Sequence, residues 1–550
     1  MLLEQSMGIY FNPGFGSFEE AVNTEIFVDK TEILLYLNSV LKTQRKYVSV
    51  SRPRRFGKSI TANMICAYYG RPDSTELFKR CKVSEGEDWD RYLGGFDVIR
   101  LVMTRFFKEN ADTDAAIARM QRLVCKEICA AYPDVEYEDK NSLIQTIEDV
   151  YSAKGKYFVI VIDEWDAIFR ENKNDKRGQE LYLDFLRDWL KDNEYIVLAY
   201  MTGILPIKKY GRHSALNMFD EYSIVTPMQL APYTGFTEDE VKELCREYNM
   251  DYGEISDWYD GYTVSNMIPV KLREKFRNKE YDPQNISLYS PLSVVKAVTT
   301  GYIQNYWNKT ETYEALAEYI RMNQDGLKDA VALMMDGGSV KADISTYQND
   351  MTTFTCRDDV LAVLIHLGYL KYNLETKEVS IPNKEILEEF KVSTRSDEWI
   401  DTFESFKISL KLLDAIWRGD EKAAAELMEL AHDRTANKTY NDEAALSYGI
   451  QYALYSAQKY YTTIQELDSG KGYADLVYLP SLKYPDKPAL LVELKYNKDV
   501  KTAADQVRER NYPQVLEHYR NNLLIVSINY DKDAKGGDFK KHSCRIEKIG

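Results

Sequence analysis

The stretch YVSVSRPRRFGKSITANM, residues 47–64, decides how the first half of the chain is read. YVSVS (47–51) is apolar and rich in β-branched residues, the composition of a buried strand. ITANMICAYY (60–69) reads as a helix. The turn between them ends as a phosphate-binding loop ends, in Gly57-Lys58-Ser59. It carries Arg52, however, where the pattern GxxxxGK[ST] has its first glycine. In such a loop the backbone N–H groups point at phosphates, and the helix N-terminus adds a favourable dipole. Lys58 would reach the β- and γ-phosphates and Ser59 would ligate Mg²⁺. Gly57 allows a close approach, while Pro53 can fix part of the turn that the first glycine otherwise serves. The candidate nucleotide-binding set is therefore Arg54, Arg55, Phe56, Gly57, Lys58, Ser59 and Ile60. Three readings of the loop stand at this point: a working nucleotide site, a decayed one, and a basic surface loop that contains GKS by chance.

A second feature bears on that choice. KYFVIVIDEWD (156–166) is a buried strand that ends in acids. It places Asp163 where a Mg²⁺-coordinating acid sits and Glu164 where a base that polarises the attacking water sits. The next strand, EYIVLAYMTG (194–203), ends at Thr202, which could sense a γ-phosphate from the neighbouring strand. Arg212 could approach the phosphates from a later loop, although an exposed surface arginine is the simpler reading. GKS alone could be chance, and Asp163-Glu164 alone could cap a strand. Both together, in order and each on its expected element, favour ATP binding over decay.

Bulk composition bounds the rest. A chain of 550 residues is too long for one core and predicts about three or four domains. Its 44% apolar and 29% charged residues suit a globular protein without membrane spans. The longest apolar runs, such as YFVIVI, fall short of the roughly 20 residues that cross a bilayer. The start, MLLEQSMGIYFNPG, has none of the marks of a signal peptide. Seven cysteines without a CxxC pair predict a reducing, cytoplasmic location. Cys125 and Cys129 lie at helical spacing, and two thiols on one helix face explain them better than a metal does. Five scattered histidines offer no zinc constellation. The net charge of −16 disfavours nucleic acid along most of the chain. Residues 431–550, with 18 Lys and Arg against 16 acids, oppose a polyanion least.

Along the chain, strands alternate with helices up to about residue 203. FDVIRLVM (96–103) is a strand, and helices are expected over 113–132 and 177–192. Near-continuous apolar strands separated by helices predict a parallel sheet covered on both faces. Residues 231–300 turn helical and loop-rich, with Thr237 capping GFTEDEVKELCREY. LAVLIHLGYLKYN followed by EVSIPN, a helix and two short strands, suits a winged-helix module. Residues 399–433 are helical, and NDEAALSYGIQYALYSAQKYY (441–461) predicts one long helix. Strands YADLVYLP (473–480), PALLVELKY (488–496) and NLLIVSINYD (522–531) follow, with a helix near 500–519 between the last two.

That last region holds a second candidate site. Asp475 lies in one strand and Glu493 and Lys495 in the next. Residues two apart share a strand face, so Glu493 and Lys495 point the same way. Two carboxylates can hold Mg²⁺ or Mn²⁺, and the metal lowers the pKa of its water. The lysine can orient that water or stabilise developing charge. Glu443 could complete the metal shell, Gln506 could position strand or water, and Tyr512 is a weaker candidate. The competing reading is a structural ion pair, because a charge in a buried strand needs a partner in either case.

These motifs carry a resemblance. RPRRFGKS, FVIVIDEWD, YMTGILPIKKYG (200–211), GFTEDEV (235–241), WYDGY (258–262) and the upstream FVDKTEIL (27–34) resemble the bacterial AAA-ATPase-like family, a P-loop group compared with signal-transducing STAND ATPases. GYADLVYLP and PALLVELKY resemble the PD-(D/E)xK nuclease superfamily, with Leu476 after the first acid and no proline before it. The likeness covers about residues 7–270 and 440–530. In that family RPRRFGKS is the usual loop, which makes Arg52 a family trait. The resemblance implies ATP-Mg²⁺ on Lys58 and Ser59, with Asp163 and Glu164 at the second acidic motif. It implies a nuclease core of Asp475, Glu493 and Lys495.

The expected architecture is α/β and multidomain. Residues 1–235 form a P-loop NTPase domain with helices on both faces of a parallel sheet. Residues 236–310 form a helical lid, and 311–395 a helical, winged-helix-like region. Residues 396–550 form a nuclease-like α/β domain of the restriction-endonuclease kind behind a helical linker. The expected function is an ATPase whose nucleotide state gates a Mg²⁺-dependent nuclease acting on DNA, in defence or mobile-element biology. The alternative is an ATP-dependent switch or scaffold with an inactive, partner-binding C-terminal domain. The expected partners are ATP and DNA, without a membrane, and self-association into a homo-oligomer stays open.

Overall fold

The computed structural model describes residues 8–108, 112–207, 216–264, 286–307, 313–322, 326–349, 351–352, 354–396, 399–434, 443–468, 473–482, 484–497, 518–519, 521–534 and 541–549. The chain divides into two compact units. One comprises Met1–Tyr319 with Lys341–Glu389, the other Ile320–Val340 with Phe390–Gly550.

The first unit is built on five strands: β1 (Tyr47–Ser51), β2 (Asp97–Val102), β3 (Phe158–Asp163), β4 (Ile196–Gly203) and β5 (Asp220–Tyr222). They pair in parallel in the order β2-β3-β4-β1-β5. Every residue of β1, β3 and β4 is buried. Such strands must be apolar on both faces, which is why their sequences run apolar without alternation. Val48, Val50, Val161 and Tyr200 pack with helices α1 (Gly16–Val22), α2 (Ile33–Val40) and α3 (Lys58–Gly70) in one core. Helices α4 (Thr113–Ala131) and α7 (Lys176–Leu190) come from the expected segments, while α5 (Leu143–Lys154) and the short α6 (Ala167–Glu171) are additions. Tyr47 alternates to the sheet face opposite Val48, and its hydroxyl donates to the Leu190 carbonyl of α7 at 2.8 Å.

Because β4 lies between β1 and β3, the loop after β1 and the acids after β3 flank one strand end. This is the carboxyl edge of the sheet, where ligands of open parallel sheets bind.

Beyond the sheet come α8 (Glu238–Glu247), α9 (Tyr252–Tyr259) and α10 (Pro291–Thr300). They share a small antiparallel sheet of β6 (Phe236–Thr237), β7 (Tyr262–Val264) and β8 (Ile286–Tyr289), in the order β6-β8-β7. α8 begins with the expected cap. The Thr237 side chain and Glu240 form a capping box, with the Thr237 N–H donating to Glu240 Oε2 at 2.8 Å. The helix Arg357–Leu367 ends at Gly368 and runs into an antiparallel hairpin of β9 (Lys371–Asn373) and β10 (Glu378–Ser380).

In the second unit, helices Ile400–Arg418, Glu421–Asp433 and Glu443–Ala453 pack against a five-stranded sheet. Its strands are β11 (Tyr461–Asp468), β12 (Tyr473–Pro480), β13 (Ala489–Tyr496), β14 (Leu523–Tyr530) and β15 (His542–Ile549), in that order. β13 and β14 are parallel and the other pairs antiparallel. The single helix expected over 441–461 is corrected here. It stops at Ala453, a 3₁₀ turn covers Tyr455–Lys459, and β11 starts at Tyr461. The cause is a contact across 47 residues. The backbone N–H of buried Ser456 donates to Ser409 Oγ at 3.0 Å instead of to a carbonyl one turn back. The helix expected near 500–519 falls mostly outside the described residues.

Candidate nucleotide site

The loop after β1 is held from below. Arg52 extends the β1–β4 ladder by one bond, its N–H donating to the Gly203 carbonyl at 3.0 Å. Its side chain is 0% exposed. Nη1 donates to the carbonyls of Ser51 and Tyr222, both at 2.8 Å. Arg52 thus ties the end of β1 to the end of β5 beneath the loop through Nη1. Burial pushes its pKa down to about 9, with Tyr200 opposing. Gly57 has φ +85°, a left-handed conformation that suits glycine and opens α3. Arg55 also adopts φ +67°.

Lys58, at the first turn of α3, is buried. Its ammonium donates to the carbonyls of Arg52 at 3.0 Å and Pro53 at 2.8 Å. Burial pushes it down to about 8, against the pull of Glu164, Asp166 and Asp163. Glu164, directly after β3, lines the same cavity as Lys58. Ser59 and Ile60 are exposed, Arg55 is exposed, Arg54 is half-buried and Phe56 is buried. Arg54 through Ile60 line one cavity of about 620 Å³ together with Glu164. Apolar side chains, Phe27, Val28, Tyr233, Phe236, Leu292 and Val295, line the same cavity. Cationic, N–H-rich lining beside apolar side chains suits a nucleotide, whose phosphates need the first and whose base needs the second. Lys58, Ser59, Asp163 and Glu164 supply the charge and oxygen donors that a magnesium–phosphate group needs.

Asp163 is buried at the end of β3, and Thr202 Oγ1 donates to its Oδ1 at 2.5 Å. Thr202, expected as a phosphate sensor, holds Asp163 in this structure. Glu164 has φ +56°, which turns it away from the strand direction. Its carboxylate forms an ion pair with Arg170 of α6, a residue the sequence reading passed over. Arg170 Nε also lies 3.3 Å from Asp166 Oδ2. Asp166 Oδ2 in turn accepts the N–H groups of Ile204 at 3.0 Å and Leu205 at 2.9 Å. Gly203 makes this approach feasible, since a Cβ there would stand 2.7 Å from the Trp165 ring and 2.9 Å from Asp166 Oδ1.

Lys30, in FVDKTEIL, also lines the cavity. Its ammonium donates to the Pro232 carbonyl at 2.7 Å and to the Glu240 carboxylate of α8. Burial lowers its pKa, with Glu240 opposing. The acidic first turn of α8 was readable in sequence, but its partner 210 residues upstream was not.

Residues 13–211 match the family model of a predicted AAA-ATPase. This part of the chain is similar to an AAA-ATPase domain. No curated protein matches the chain in sequence. Among solved structures, ORC1 of Aeropyrum pernix, described in complex with DNA, is 13% identical. That match covers 72% of this chain and 99% of the other, with a TM-score of 0.27. ORC2 of the same organism, described as ADPNP-ADP complexes, is 12% identical over 68% of this chain and 96% of its own, also at 0.27.

The second candidate site lies on β12 and β13. Glu493 is buried, and Lys495 Nζ stands 3.7 Å from its Oε2 on the shared strand face. The antiparallel register pairs Leu476 with Val492, the neighbours of Asp475 and Glu493 in their strands. Asp475 in β12 and Glu443, the first residue of its helix, are placed by their backbone. Gln506, Tyr512 and Arg212 lie outside the described residues. Among the described residues no cluster of three or more metal-ligating side chains occurs, and no helix is long and apolar enough to cross a membrane.

Proposed function

We propose that the first unit binds ATP with Mg²⁺ and hydrolyses it. The observation that carries this reading is that the phosphate loop with Lys58, and Glu164 directly after Asp163 at the end of β3, line one cavity together with apolar side chains. Lys58 and the N–H groups opening α3 would take the phosphates. Ser59 and Asp163 would hold Mg²⁺, which supplies charge neutralisation on the phosphates. Glu164 would accept the proton of the attacking water. Phe27, Tyr233 and Phe236 would enclose the base. A thermal-shift titration with ATP-Mg²⁺ tests the reading. The wild type should gain stability and Lys58→Ala should not; an unchanged gain in Lys58→Ala would sink it.

We further propose that nucleotide state gates a metal-dependent nuclease-like site on the second unit, with Asp475 and Glu493 as metal ligands and Lys495 orienting water. Glu443 and Gln506 would assist, and DNA is the substrate. The buried Glu493 beside Lys495 on one strand face, with Asp475 next to the residue that pairs with Val492, supports this. The same contact favours a second reading, a switch whose C-terminal domain only binds a partner, because Lys495 already balances the Glu493 charge. A cleavage assay with Mg²⁺ or Mn²⁺, with and without ATP, separates the two. Cleavage lost in Glu493→Ala, with ATP binding intact, supports the nuclease. No cleavage by wild type under any of these conditions supports the switch.

A further inference from the structure

Arg170 and Asp166, which form ion pairs around Glu164 beside the phosphate loop, have no part in the reading above. Arg170 is fixed at one end, because Asp166 is itself held by the Ile204 and Leu205 N–H groups at the end of β4. At its other end it occupies an oxygen of Glu164, the cavity-lining carboxylate proposed as base. The side chain of Arg170 is 6% exposed and that of Glu164 24%, so water competes poorly for the pair. A base acts only through a free oxygen aimed at water. The guanidinium takes one oxygen, Oε2, and fixes where the other one points.

We propose that Arg170 is the positioning residue for Glu164: it holds the carboxylate back from the attacking water, anchored through Asp166 to the end of β4, and so sets the basal rate of ATP hydrolysis. The inference rests on the ATP reading of the cavity. Release of Glu164 would require Arg170 to shift toward Asp166 alone. The anchor for such a shift is the segment after β4, which also carries Thr202 and through it Asp163. The three acids at the site are thus linked by contacts with one strand end.

The test is a double-mutant cycle of Arg170→Ala and Glu164→Gln on the full chain, with Arg170→Lys as the conservative variant and melting temperatures to verify folding. Two readouts are taken, the affinity for the non-hydrolysable analogue AMP-PNP with Mg²⁺ and the turnover of ATP. Arg170→Ala should raise kcat about tenfold, the scale of one charge-assisted hydrogen bond, with KM nearly unchanged. Arg170→Lys should fall between, since an amine cannot span both carboxylates. Arg170→Ala should also weaken AMP-PNP binding several-fold by leaving an unbalanced carboxylate beside the phosphates, and Glu164→Gln should cancel that loss. A fall in kcat in Arg170→Ala overturns the proposal, because the guanidinium would then act on the phosphates. An effect on AMP-PNP affinity that is equal in the wild-type and Glu164→Gln backgrounds overturns it too. So does coupled binding without turnover in any variant. A wild type that binds no AMP-PNP removes the ATP reading itself; binding with uncoupled variants removes only the role of Arg170.

Discussion

Thr202 donates its hydroxyl to Asp163 across the β3–β4 boundary, at 2.5 Å, with both residues fully buried. The bond fixes one carboxylate oxygen, Oδ1. Thr202→Val preserves shape and removes the donor. It should leave nucleotide binding within about threefold but lower turnover about tenfold, as expected for one lost hydrogen bond to a charged group. Steady-state kinetics beside a binding titration check this, and an equal loss in both would place Thr202 on the nucleotide instead.

Arg52 invites a reversal experiment. Arg52→Gly restores the glycine of the general loop pattern, yet it removes the tie to Tyr222 and empties a buried volume. We expect a loss of about 2–4 kcal/mol in stability, in the range of large-to-small substitutions in a core. Nucleotide affinity should fall with it. Urea denaturation gives the first quantity and titration the second. A glycine variant as stable as the wild type would mean that Arg52 holds nothing.

Glu385 supplies a pH dependence. It is buried at the start of the helix Lys384–Ser393 and accepts from Ser293 Oγ at 2.9 Å and from the N–H groups of Tyr306 at 2.8 Å and Trp307 at 3.1 Å. Burial outweighs these donors and pushes its pKa from 4.5 up to about 7. With the folded value above the unfolded one, the folded chain holds the proton more tightly. This contribution is therefore fully present below about pH 4.5, and is lost as pH rises through about 7. The loss amounts to about 3 kcal/mol. Glu385→Gln should flatten this part of the profile and be more stable than wild type at pH 8. Urea midpoints between pH 4.5 and 8 decide it, and parallel curves for the two proteins would remove Glu385 as the cause.

Gly368 closes the helix Arg357–Leu367 with φ +91°, and a Cβ there would lie 2.8 Å from the Pro53 side chain and 3.0 Å from Trp307. Its carbonyl accepts from Tyr262, whose ring meets Phe56 edge-on at 5.4 Å between centroids. Gly368→Ala should cost about 1–3 kcal/mol through strain and overlap. It should also weaken nucleotide binding, because the overlap falls on the loop. Loss of stability with unchanged affinity would show that the loop does not feel this helix.

The core of the first unit was legible because its signals are local. A strand, a GKS turn and a helix fall within 24 residues, Tyr47–Gly70, and the acids after β3 sit on a run of six buried residues. What escaped depends on chain-distant partners. Arg52 reads as a charge near phosphates until Tyr222, 170 residues on, accepts its proton. Arg170 looks like one more surface cation on a short helix until Glu164 and Asp166 close around it. The break after Ala453 is written in Ser409, not in the helix itself. β11 and β15 were missed for a different reason. They are the edge strands of their sheet, and β15 is mostly half-buried, so neither the continuous apolar run of a central strand nor strict alternation marks it.

Lys58 already has two acceptors within its own loop, the carbonyls of Arg52 and Pro53. A phosphate that takes the ammonium must displace them, and one that leaves returns it to them. Binding is then an exchange of partners, and its net strength is smaller than the charge of Lys58 suggests. The gain is in speed. Departure strands no cation in a dry site, because the loop itself takes the ammonium back.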